Sequence, residues 1–97
     1  MWRHGDVLVA AVDSIPAAAR KRPNGVLAHG ELTGHSHRIE SLSDAEVLEH
    51  KGQLYLRVLA SARIVHEEHK PITLPQGIYR VWQQREYTPD EIRIVED

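Results

Sequence analysis

The sequence predicts an all-β fold, a small antiparallel barrel or sandwich with one short helical turn near residues 15–21, built as a single β domain over residues 1–97. Three observations lead there. From Leu54 to Ile64 every even position is apolar (Leu54, Leu56, Val58, Ala60, Ala62, Ile64), while the odd ones include Tyr55, Arg57, Ser61 and Arg63. That period of two marks a strand with one buried face. The other apolar runs are short and are separated by turn residues at regular spacing, as in small barrels and sandwiches. Finally, 97 residues with 41% apolar and 27% charged side chains suit one globular domain.

In chain order, Asp6–Val12 is a Val-containing strand that ends near Asp13-Ser14-Ile15-Pro16. Ala17-Ala18-Ala19 reads as the short helical turn, stopped by Pro23 and Asn24-Gly25, with Arg20-Lys21-Arg22 as an exposed basic loop. Val26–Ile39 reads as one extended stretch with bulges at Gly30 and Gly34. Ser43 and Glu46 have capping-box spacing, but a hairpin is the better reading: Glu46–His50, a turn at Lys51-Gly52, and a strand from Gln53. After a turn at Pro75-Gln76-Gly77 a strand covers Ile78–Glu86, and Ile92–Val95 adds a last short one.

Composition removes several functions. Lys plus Arg is 12 against 14 Asp plus Glu, for a net charge of −2, so no basic field points to nucleic acid. Without cysteine there is no disulfide, no thiolate nucleophile and no Cys-type zinc site. No run approaches the roughly 18 apolar residues of a membrane span, and no signal peptide is visible, so a cytoplasmic location is expected. Histidine is the unusual component: seven residues, whose full protonation would carry the charge from −2 to +5.

Four of the seven form two pairs, His35-Ser36-His37 and His66-Glu67-Glu68-His69. Residues two apart on a strand project to the same side, so His35 and His37 form a ready chelate for Zn, Fe, Ni, Cu or Mn. The same parity runs back through Thr33 and Glu31 to His29. His66 continues the even, core-facing row of Leu54–Ile64, and the turn at Pro71 can swing His69 round to join it. A divalent transition metal held by His35, His37, His66 and His69 is therefore expected, with Glu67 and Glu68 as candidate catalytic bases or as partners orienting the imidazoles. The spacing is not that of a zincin helix, which needs histidines four apart. His4 and His50, beside turns, read as surface residues.

The strings Thr33-Gly34-His35-Ser36-His37, His66-Glu67-Glu68-His69-Lys70-Pro71-Ile72, Leu74-Pro75-Gln76-Gly77-Ile78-Tyr79-Arg80-Val81 and Gln84-Arg85-Glu86-Tyr87 resemble a group of short uncharacterised bacterial proteins over nearly the whole chain. A weaker resemblance is to the cupins, small β-barrels that hold a metal with an H-x-H pair, a Glu and a later His. His35 and His37 match the pair, Glu40 follows, and Pro75-Gln76-Gly77 resembles the second motif. Where that motif places its histidine stands Arg80, so His66 or His69 would have to supply the imidazole.

These readings imply a small metal-binding β-barrel. It would be a homo-oligomer acting on a small-molecule substrate, as a metal-dependent hydrolase or an oxygenase-like enzyme. Four imidazoles on one ion would instead favour a structural or sensing role. The competing class is a non-enzymatic binding module that presents a Trp82–Tyr87 surface, rich in Trp, Arg and Gln, to a protein or nucleic acid.

Overall fold

The computed structural model describes residues 1–29 and 34–84, together with the backbone of 87–88 and 91–92. Among the described residues ten strands follow one another: β1 Trp2–His4, β2 Val7–Ala11, β3 Arg20–Lys21, β4 Val26–His29, β5 Ser36–Ile39, β6 Ala45–His50, β7 Gln53–Val65, β8 Ile72–Gln83, β9 Tyr87–Thr88 and β10 Glu91–Ile92. β9 and β10 form a separate two-stranded ladder. The other eight make one antiparallel sheet in the order β1-β2-β8-β7-β5-β4, with β6 also on β7 and β3 on β6. The fold is all-β, as the alternation predicts, and the sheet does not close into a barrel.

The alternating segment is the axis of the sheet. β8 runs along one edge of β7, while β6 covers Gln53–Val58 on the other edge and β5 takes over at Ile64 and Val65. Leu56, Val58, Ala62 and Ile64 are buried from β7 and join Val7, Val9, Val47, Leu74, Tyr79 and Val81 in the core. The row is broken once. Between Val58 and Ser61 the register shifts, two residues of β7 face one of β8, and Ala60 turns outward. The Lys51-Gly52 turn is as expected: both residues have positive φ, 50° and 78°, which matches the right-handed twist of the strands it joins.

Four local expectations are corrected. There is no helical turn at 15–21: Ala19 N–H donates to Pro16 O in a single turn, and three alanines are too few to propagate a helix. Arg20-Lys21 is not loop but strand β3, opposite Glu49 and Leu48, with Lys21 Nζ 3.4 Å from Glu46. Val26–Ile39 is not one stretch. It folds back so that His29 pairs with Ser36, which takes the exposed His29 away from the parity row of His35 and His37. Pro75-Gln76-Gly77 is not a turn either, because β8 passes straight through it beside the β7 bulge. Residues 30–33, 85–86, 89–90 and 93–97, which include Glu31, Thr33 and most of Ile92–Val95, lie outside the described residues.

Candidate metal centre

β5 alternates half-buried and buried residues, so His37 and Ile39 both face the core. The register that sets Ile39 opposite Ile64 and Arg38 opposite Val65 continues to place His37 beside His66, with ring centroids 4.4 Å apart. The chain then bends at Glu67–His69 and brings His69 to 4.6 Å from His66 and 5.5 Å from His37, centroid to centroid. His37, His66 and His69 offer ligand nitrogens all within 4.8 Å of one another, so the group can hold a metal ion. All three Nε2 atoms are buried and make no hydrogen bond. A buried polar atom left this way costs about 1–3 kcal/mol, and native structures leave few.

The N-terminal hairpin closes over this group. β1 and β2 pair with His4 opposite the buried Val7, leaving Gly5-Asp6 as a two-residue turn. Gly5 has φ of 63°, and a Cβ there would lie 2.9 Å from His69 Nε2 and 3.0 Å from His37 Cε1, so the turn needs glycine on both counts. His4 is buried rather than on the surface. Its Nε2 is 3.0 Å from the Lys70 carbonyl and its Nδ1 is 2.9 Å from His37 Nδ1.

Those two contacts settle the tautomers. A carbonyl only accepts, so His4 Nε2–H donates to Lys70 O and neutral His4 has its lone pair on Nδ1. His37 Nδ1–H must therefore donate to His4, which leaves the lone pair of His37 on Nε2. That lone pair faces a second acceptor, Asp6 Oδ1, at 3.3 Å. Asp6 is itself buried, and its other oxygen accepts from Gln83 Nε2. Two facing acceptors repel unless a cation or proton lies between them. A proton is disfavoured: burial first, then the charges of His66 and His4, push His37 down to about 4, against the raising effect of Asp6. Burial also lowers His4, opposed by its bond to Lys70. This one spacing suits a metal, since two donors about 2.0 Å from a tetrahedral ion sit about 3.3 Å apart, and the three histidine nitrogens, within 4.8 Å of one another, would draw in around the ion.

With this geometry in place, comparison with known proteins places the chain. The family described as a domain of unknown function, DUF8820, matches residues 3–84. The chain belongs to this family. No curated protein and no solved structure matches it. The DUF8820 match takes in His4, Asp6, His37, His66, His69 and Gln83.

Within the DUF8820 fold the remaining expected residues sit around the inner group. His35 is a step outward, its ring 5.6 Å from His66 and its Nδ1 3.6 Å from Glu68 Oε1. His35, His66 and Glu67 form a second group whose ligand atoms lie within 4.8 Å of one another. Glu67 is tied down: Ser36 N–H donates to Oε1 at 2.8 Å and Arg38 Nη1 to Oε2 at 2.7 Å. The Ser36 amide and then Arg38 hold its carboxyl at about 2. Glu68 is exposed, and its backbone N–H donates to His66 Nδ1 at 3.0 Å. The proton of neutral His66 is thus on Nε2, and ligation through that atom requires the tautomer to switch and the Glu68 N–H to give up its bond to Nδ1. Glu40 ion-pairs with Arg63 at 3.3 Å on the surface. No helix among the described residues is long and apolar enough to cross a membrane.

His4 and Asp6 were not singled out by the spacing of the histidines. One signal was present: Gly-Asp between Trp2-Arg3-His4 and a Val-rich run is a hairpin signature. Read so, it pairs His4 with Val7 and places His4 on the core face.

Proposed function

We propose that this chain is a metal-binding β protein that holds one divalent transition-metal ion on Nε2 of His37, His66 and His69, with Asp6 as the fourth donor. The observation that carries this is the convergence of three buried Nε2 atoms with no partner. Neutral imidazoles select Zn, Cu, Fe or Ni over Mg or Ca, and the absence of cysteine disfavours thiolate-preferring Cu(I). The chain Lys70 O···His4···His37 supplies the outer hydrogen bond that fixes the orientation of a metal-bound imidazole.

Three imidazoles and a carboxylate complete a tetrahedral ion, which favours a structural or sensing role over hydrolysis at an open water position. The ion would tie the β1–β2 turn to β5 and to the segment after β7. The two glutamates support the same preference, because Ser36 and Arg38 hold the Glu67 carboxyl at about 2, which makes it a poor base for hydrolysis, and Glu68 lies on the surface.

The test is elemental analysis of the purified chain and of His37→Ala, His66→Ala and His69→Ala after loading with Zn, Fe, Mn, Ni and Cu in turn. One ion per chain, lost in each variant, is the expected result. A wild-type chain that retains none of the five metals after desalting would overturn the reading.

A further inference from the structure

An ion bound at three buried nitrogens has to reach them past the groups packed around them. The Gly5 backbone covers His69 and His37 on one side. His4 and the Lys70 carbonyl back His37 on another, and Asp6, held by Gln83, stands against its Nε2. Of the two half-buried ligands, His66 and His69, His66 belongs to both ligand groups: inward with His37 and His69, outward with His35 and Glu67. The outer group is open to solvent, with Glu67 and Glu68 exposed. Arg38 offsets the charge of Glu67, so Glu68, whose Oε1 lies 3.6 Å from His35, supplies the negative field at the mouth.

We propose that His35, His66 and Glu67 form a loading position, which takes a divalent transition-metal ion from solvent and passes it through the shared His66 to the inner nitrogens. The proposal rests on the inner site described above. A neutral imidazole has a single lone pair, so His66 serves one ion at a time. The outer position is therefore a transit point and not a second resident site. Its role is kinetic: it lowers the barrier in both directions and leaves the equilibrium at the inner site unchanged.

Co(II) absorbance after rapid mixing with the EDTA-treated, desalted full chain measures loading, and transfer to excess EDTA measures release. In His35→Ala both rates should fall about tenfold, because loading and release cross the same barrier and lose the same transit ligand, while Kd stays within about threefold of wild type. Glu68→Gln should slow loading in the same direction and by less. Unchanged rates in His35→Ala would overturn the proposal. So would a Kd weakened as much as loading is slowed, which would make His35 a resident ligand, or two Co(II) per chain at saturation. If the wild type takes up no Co(II), the inner site itself fails, a result distinct from tight binding with unaltered rates. An unchanged thermal melt of EDTA-treated His35→Ala confirms that the variant is folded.

Discussion

Asp6→Asn should move stability and metal affinity in opposite directions. Asp6 Oδ2 accepts from Gln83, so an asparagine must turn its own oxygen toward Gln83 and its amide nitrogen toward His37. That nitrogen replaces Asp6 Oδ1, which stands 3.3 Å from the lone pair of His37 Nε2. A contact between two acceptors becomes a hydrogen bond. Forming one buried hydrogen bond and removing the repulsion is worth about 1–2 kcal/mol. For a chain of this size that raises the melting temperature of EDTA-treated protein by roughly 4–16 °C. Zn(II) affinity should fall by at least roughly 10–100-fold, the loss that follows even when a group that merely orients a ligand is removed, because the carboxylate is lost and His37 Nε2 is capped by a donor. Urea unfolding in EDTA and Zn(II) competition titration measure the two effects. An EDTA-treated variant less stable than wild type by more than about 1 kcal/mol would refute the tautomer assignment. Unchanged Zn(II) affinity would refute the role of Asp6.

Three further outcomes are expected. Gly5→Ala forces a Cβ to within 2.9 Å of His69 Nε2 at a φ of 63°, so metal uptake should be lost in an equilibrium titration and stability lowered by about 1–2 kcal/mol. Unfolding free energy of EDTA-treated protein should fall with acid: His37 is held at about 4, below its ordinary 6.5, so the unfolded chain binds the extra proton between those values. Its contribution, at most about 3 kcal/mol, is complete above pH 6.5 and lost as pH falls through about 4, and His37→Gln should flatten that slope. The depressed carboxyl of Glu67 acts in a lower window that overlaps this one only at its upper end, its contribution being lost as pH falls from about 4.5 toward about 2. Leu56→Ala empties a fully buried core position in the first half of β7 and should cost about 2–5 kcal/mol by urea denaturation.

How far sequence reasoning reached follows from the physics of each element. β7 was legible because its two faces meet different surroundings, and the Lys51-Gly52 hairpin because two consecutive positive φ values restrict the turn. His37, His66 and His69 were legible as chain-local pairs on or beside strands. Glu67 and Glu68 carry no such period, and only the contacts with Ser36, Arg38 and His35 tell them apart. What was missed is non-local. His4 and Asp6 are more than 30 residues from His37, and only the pairing of β2 with β8 carries the N-terminal hairpin over the site. The reading of Val26–Ile39 as one extended stretch fails because both β4 and β5 are extended, and only their antiparallel pairing, His29 with Ser36, shows that they are separate strands. The Ala17–Arg22 segment was misread because pairing with the edge of β6 overrode a weak helix preference.

The most direct measurement is X-ray absorption at the zinc edge on the full chain loaded with one equivalent of Zn(II). Three imidazole nitrogens and one oxygen at about 2.0 Å are expected, with one imidazole fewer in His69→Ala. A spectrum of an ion coordinated by water with no imidazole scattering, or one unchanged in His69→Ala, would contradict a site built on His37, His66 and His69.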